Sequence, residues 1–248
     1  MDSSLDKLSG NDIASSYKEQ NDLLDDFAFG KPLHDQARLP AIVSNWVTPQ
    51  NFHVNFMIFK SEQEEMERRM DIFYKETENL PNLNFDSITS NGTAGLPVAV
   101  LVNQKWRRGM VISKRNTSLL VCHVDVGSQT LEKLDRIRPL YYQFAELPPL
   151  AFKCYLRRLK RVVINEYIMQ ELDKVMKVDK EFDCEISSWD DIMFLPVKMY
   201  ERGSPVDVID VHLSSYFKKQ KERLAQRKRD LERQKEQRNS DDETDSDE

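Results

Sequence analysis

Trp106-Arg107-Arg108-Gly109, then Val121-Cys122-His123-Val124-Asp125-Val126-Gly127-Ser128, then Ile137-Arg138-Pro139-Leu140 mark out a stretch from Val98 to Leu147 whose reading decides the fold. Within it, β-rich runs at Val98 to Val102, Trp106 to Lys114, Leu119 to Asp125 and Gln129 to Leu134 are separated by polar turns at Asn103-Gln104-Lys105 and Arg115-Asn116-Thr117. Strands this short and this closely spaced predict a small bent β-barrel, closed or nearly closed, which removes exposed edges. A short turn or helix over Arg138 to Phe144 then leads into Leu147-Pro148-Pro149.

Upstream of the barrel, Ala41-Ile42-Val43-Ser44-Asn45-Trp46 and Phe52-His53-Val54-Asn55-Phe56-Met57-Ile58 read as an antiparallel pair turning at Thr48-Pro49-Gln50-Asn51. Ser61 reads as the N-cap of a helix, with Glu62 to Glu65 in its first turn and Met66, Met70, Phe73 and Tyr74 on one face. That helix should end near Thr77. Residues 78 to 95 are a connector, pinned by Phe85 and Ile88.

Downstream, Ala151-Phe152-Lys153-Cys154-Tyr155-Leu156 reads as a strand. Ile164, Tyr167, Ile168, Leu172, Val175 and Met176 share a helical face, and Phe182 to Ile186, Met193 to Tyr200 and Val206 to Leu213 read as strands. The whole is mainly β with helices, an α+β chain.

The ends differ from this body. Residues 1 to 37 form an acidic leader with one apolar cluster, Leu23-Leu24-Asp25-Asp26-Phe27-Ala28-Phe29, which reads as an unstructured leader or a linear docking motif. Net charge is −6, yet residues 218 to 238 hold ten Lys or Arg against four acids, while 239 to 248 hold six acids and no base. The basic part reads as a solvent-exposed helix in which Leu224 and Leu231, seven apart, could make only a short coiled-coil seam. The acidic part reads as a disordered tail, where Ser240, Thr244 and Ser246 sit as an acid-directed kinase would want them.

Cys122, Cys154 and Cys184 are odd in number and without CxxC spacing, which argues against a disulfide framework and a zinc site and points to a reducing compartment. His34, His53, His123 and His212 lack ligand spacing, so no metal or other cofactor is expected. With no long apolar run and no signal-like N-terminus, the expected setting is cytosolic or nuclear, with no membrane span.

At this point the residues carry a resemblance. The segment from Trp106 to Ser128 resembles the Trp/Phe-Tyr-Arg-Ala and Phe-x-Asp-Tyr-Gly-Asn runs of Tudor domains, and Leu147 to Leu156 is similar to the later Leu-Pro-x-x-Ala-x-x-Cys-x-Leu signature of extended Tudor domains. Val43 to Val54, the Glu/Met helix and Val206 to Leu213 resemble the flanking half, so the likeness covers residues 38 to 217, with the Tudor core at about 96 to 146. It implies a Tudor barrel inserted into an OB-like, staphylococcal-nuclease-type barrel, the halves joined by a long helix. It further implies a noncatalytic adaptor of germline ribonucleoprotein granules, or nuage, that gathers Piwi-class Argonautes or other Tudor proteins in piRNA-mediated transposon silencing.

The departures from the family bear on the ligand. In members that bind methylated arginine, aromatic rings hold the cation at about 0.5 to 2 kcal/mol per good contact. At the matching positions this chain has Leu101, Arg107, His123, Val126 and Ser128, none of them aromatic, and Arg107 sets a like charge where the ligand's cation would sit. The expected ligand is therefore independent of dimethylarginine, an unmethylated peptide or protein surface lying across the cleft between the halves. That cleft is expected to use Leu101, Trp106, Arg107, His123, Asp125, Val126 and Ser128. Asp125 and Gly127 are retained, with roles that structure alone can require.

Asp71, Asp135, Glu166, Asp183 and Glu185 are dispersed among elements, so no active site is expected. Two other readings stand beside the adaptor. One is an RNA-binding subunit using Lys105, Arg107, Arg108, Arg157 and Arg158, where bases mix with aromatics. The other is a scaffold that oligomerises through its tail helix or barrel edges.

Overall fold

The computed structural model describes residues 38–77, 94–188 and 193–244. The leader cluster at 23 to 29, His34, the connector residues Phe85 and Ile88, and the side chains of Ser240, Thr244 and Ser246 lie outside the described residues.

Alternating burial along Leu39–Thr48 (β1) and Asn51–Phe56 (β2) places Ala41, Val43, Phe52, Val54 and Phe56 inward, and the two pair antiparallel as expected. Phe152–Leu156 (β8), Glu181–Ile186 (β9) and Leu195–Glu201 (β10) complete a closed barrel in the order β1-β2-β8-β10-β9, in which β8 and β10 run parallel and the other pairings are antiparallel. Counted along the barrel's own strands this is the order 1-2-3-5-4 of a five-stranded Greek-key barrel of OB type.

The second β unit is inserted between β2 and β8. It consists of Pro97–Val102 (β3), Lys105–Arg115 (β4), Ser118–His123 (β5), Gln129–Lys133 (β6) and Ile137–Pro139 (β7), in the order β6-β5-β4-β3-β7. Its strands match the sequence reading to within about two residues. Of the two forms expected, closed or nearly closed, the strand order fits the second: no ladder joins β6 to β7 among the described residues. β7 is three residues long and pairs with β3 alone among the described residues.

Lys60–Glu76 (α1) joins the two units, laying Met66, Met70 and Tyr74 against Ala99, Trp106, Leu140, Tyr141 and Phe144. Tyr74 stacks on Trp106 with ring centroids 4.7 Å apart and donates its hydroxyl to the carbonyl of Pro139 at 2.7 Å. Ser61 does not cap this helix. Its N-cap is Phe59, without a side-chain cap, because a 3-10 turn at Met57–Phe59 already leads the chain in, and the Ser61 hydroxyl binds Glu62 instead. The C-terminal end falls at Thr77 as read.

Glu166–Asp173 (α2) is capped by Asn165, whose side chain accepts from the backbone N–H of Ile168 at 3.0 Å. Val208–Thr244 (α3) overturns the expected strand over Val206 to Leu213. The β-branched residues there suggest a strand, but Val208, Ile209 and Leu213 bury against the barrel, with Tyr216 and Phe217 packed beside them, at helical and not alternating spacing. Asp207 starts the helix by accepting the N–H of Ile209 at 2.7 Å. From Lys218 onward the described side chains are almost all exposed, Leu224 and Leu231 included. A chain ending at residue 217 should therefore unfold within about 0.5 kcal/mol of the full chain in urea, because the described side chains removed bury almost nothing. A larger loss would show that the charged helix packs on the body.

No described helix is long and apolar enough to cross a membrane.

Candidate functional site

β-strand alternation settles which of the expected site residues can act together. Residues directly opposite on neighbouring strands share a face, and Val100 stands opposite Arg107, Gly109 opposite His123, while Leu101 stands opposite Trp106 and Ala99 opposite Arg108. Arg107 and His123 thus share one face. Leu101 and Trp106 share the other, against α1. They line a separate hollow with Tyr74 and Arg138, so neither belongs to the cleft expected of them. Adjacent positions on a strand point to opposite faces, so Trp106 cannot share the face of Arg107, nor Leu101 that of Val100.

Arg108 is likewise not a surface base. It is 3% exposed and Asp125 is 5% exposed. The guanidinium forks onto the carboxylate, Nε to Oδ2 at 2.9 Å and Nη2 to Oδ1 at 2.5 Å. Its remaining N–H groups donate to the carbonyls of Phe144 at 3.1 Å, Pro148 at 2.8 Å and Leu147. Asp125 also accepts the N–H of Leu150 at 3.1 Å. The pair therefore ties β4 and the turn after β5 to the Leu147-Pro148-Pro149-Leu150 segment that re-enters the barrel, and no donor is left for a phosphate.

The turn over residues 124 to 128 is held from the barrel side as well. Asn55 donates Nδ2 to the carbonyl of Asp125 at 2.8 Å, and Asn45 donates Nδ2 to the carbonyl of Gly127 at 3.0 Å. Gly127, at φ +84°, lies flat against the His53 ring. His123 is buried, with Nε2 2.6 Å from the Thr130 hydroxyl, and its backbone carries the turn through bonds with Val126, Gly127 and Ser128. His123 and Ser128 thus support the cleft from behind.

Burial, with the Lys153 charge adding to it, lowers the His53 pKa to about 4. His123 is lowered too, first by burial. Between pH 6.5 and 4 the unfolded chain takes up a proton at His53 that the folded chain refuses, so stability is full above pH 6.5 and falls as pH drops through that window. With the ring only half-buried, solvent screening leaves about 1 to 2 kcal/mol of the shift. Urea midpoints at pH 7.5 and 4.5 should show this loss, and His53→Gln should flatten part of it.

The cleft itself is a cavity of about 390 Å³ between the two β units. Arg107, Asp125 and Val126 reach it from the inserted sheet, Ser44 and Asn55 from the barrel, and Glu64 and Glu67 from α1. Three buried polar atoms on its wall, Ser44 Oγ, Asn55 Oδ1 and Arg107 Nε, have no hydrogen-bond partner, although buried polar atoms are normally paired. They belong to residues of β1, β2 and β4 that all line this one cavity. Sequence reading found Arg107 and Val126 but missed Ser44 and Asn55, which look like ordinary strand residues until the insertion folds over them.

Four of the five dispersed carboxylates have structural partners, Glu166 accepting from Gln170 at 3.0 Å. Asp71 accepts the N–H of Trp106 at 2.7 Å, Glu185 binds Lys198 at 2.5 Å and the Tyr200 hydroxyl at 2.7 Å, and Asp183 pairs with Arg202. Among the described residues no group of His, Cys, Asp or Glu could hold a metal ion. Lys105 lies exposed at the start of β4, while Arg157 and Arg158 line a different hollow on the barrel.

The sequence model of the Tudor domain matches residues 33–158. No curated protein sequence matches the chain. Among solved structures, the human TDRD1 extended Tudor domain, in complex with a symmetrically dimethylated peptide, is 19% identical at a TM-score of 0.60, covering 73% of this chain and 89% of that one. The Drosophila melanogaster Papi extended Tudor domain is 16% identical at 0.59, covering 73% and 97%. Extended Tudor domain TD3 of mouse TDRD1, in complex with a MILI peptide containing dimethylarginine 45, is 13% identical at 0.59, covering 73% and 92%. At these identities the likeness establishes the fold, the extended Tudor arrangement.

Proposed function

The chain belongs to the Tudor domain family, and from that premise we propose that it is a noncatalytic adaptor whose cleft holds an unmethylated segment of a partner protein. The observation that carries this reading is that Ser44, Asn55 and Arg107, three residues with buried unpartnered polar atoms, line one cavity between the two units. The related TDRD1 domains are seen with dimethylated peptides. In this chain the inserted sheet brings Arg107 and Val126 to the cleft, and the one ring among its described lining residues, Phe56, is 1% exposed and packed in the barrel core, which supports a reading without cation–π capture. The partners that fit the family are a Piwi-class Argonaute or another Tudor protein, and the setting is a cytoplasmic perinuclear germ granule serving piRNA-mediated silencing.

The test is recovery of a Piwi-class protein from germline lysate on the purified chain, with RNase present. Recovery that survives RNase and is lost with Arg107→Glu/Val126→Glu, a variant verified as folded by its melting curve, supports the cleft. Undiminished recovery by that variant overturns it.

A further inference from the structure

On the barrel face, away from the cleft, Arg157, Arg158, Lys160 and Arg161 converge on a hollow of about 660 Å³ shared with Tyr155 and Ser187. All four cations are exposed, and among the described residues no carboxylate lines the hollow. Arg158 pairs with Asp210 on α3, but Arg157, Lys160 and Arg161 have no ion-pair partner among the described residues. Lys160 Nζ is 5.0 Å from the centre of the Tyr155 ring, which holds the ammonium at the rim. The Ser187 hydroxyl, buried on the same wall, has no hydrogen-bond partner.

The charge does not stop at the hollow. Arg158 lies 5.7 Å from the Phe217 ring, where the exposed cations Lys218, Lys219, Lys221 and Arg223 begin along α3. At 1.5 Å per residue, the run from Lys218 to Arg233, in which eight bases outnumber Glu222, Asp230 and Glu232, extends the positive surface by about 23 Å. A track of this length matches a polymer of phosphates and exceeds what a single anion requires. A membrane surface would call for an apolar edge, and between Lys218 and Arg233 the helix exposes only Leu224 and Leu231 as large apolar residues. The helix runs on to Thr244, so the backbone of Asp241, Asp242 and Glu243 lies at its end remote from the hollow.

We infer that this hollow is a phosphate site for the backbone of a single-stranded nucleic acid, separate from the protein-binding cleft. Its readout is fluorescence anisotropy of the full chain with labelled U20 RNA, and with dT20 DNA in a parallel arm to decide which sugar is preferred. Three neutralised phosphates give a slope of log affinity against log salt of about −2 from the hollow alone. The variant Arg157→Glu/Lys160→Glu/Arg161→Glu should bind at least about tenfold more weakly at 100 mM salt and lose about 2 from that slope. Arg107→Glu/Val126→Glu should bind both oligonucleotides as the unaltered chain does. Absence of binding to either oligonucleotide at 50 mM salt overturns the site. So does a triple variant that binds normally while Lys218→Glu/Lys219→Glu/Lys221→Glu abolishes binding.

Discussion

Arg108→Ala should lower the unfolding free energy by about 3 to 5 kcal/mol, the range for removing one partner of a buried ion pair. Arginine has five N–H donors, and all of them are used here, two on Asp125 and three on the carbonyls of Phe144, Leu147 and Pro148. The alanine variant leaves a buried carboxylate with only the Leu150 N–H, and it leaves three carbonyls without this donor. Arg108→Lys keeps the charge but not the fork and should recover less than half of the loss. The pair Arg108→Met/Asp125→Leu should cost less than the sum of the single changes, because no charge remains stranded. Urea unfolding at pH 7 measures each. A loss under about 1 kcal/mol for Arg108→Ala would show that the pair is not what fastens the inserted sheet to the barrel.

Gly127→Ala should cost about 2 to 4 kcal/mol, for two separable reasons. A φ of +84° is unfavourable for any residue with a Cβ. The new methyl group would also sit 2.6 Å from His53 Nδ1 and closer still to Cγ, inside the seam where β2 meets the turn. In Gly127→Ala/His53→Ala the ring is gone and only the backbone part, about 1 kcal/mol, should remain beyond the cost of His53→Ala itself. Equal costs with and without the ring would assign the whole effect to backbone strain.

These two changes touch residues whose importance the sequence announced and whose partners it concealed. Asp125 and Gly127 stand out inside a family motif, but nothing local reveals that Asp125 meets Arg108 or that Gly127 meets His53, because those contacts join segments separated in the chain. Strand positions were legible because alternation is local, as in Phe52, Val54 and Phe56. Two local signals misled. β-branched residues at 206 to 211 suggested a strand where i, i+4 burial makes a helix, and Ser61 suggested a cap where a preceding 3-10 turn had already begun the helix. Leu101 was assigned to the cleft because motif matching does not fix the pleat, and its cross-strand partner Trp106 places it on the opposite face. The unpartnered Ser44 and Asn55 carry no sequence mark at all, since their isolation arises only when the insertion closes over the barrel.

The most direct test of a cleft without a methylarginine cage is calorimetric titration of the chain with matched arginine-glycine peptides from a Piwi-class N-terminus, one set unmethylated and one symmetrically dimethylated. With Arg107 and Val126 on the wall, and with Phe56, the one ring among the described lining residues, only 1% exposed, affinities within about twofold of each other are expected, since that ring offers little face for cation–π contact with the methylated group. A tenfold or greater preference for the dimethylated peptides would contradict it, and would mean that aromatic residues outside this cleft form the cage.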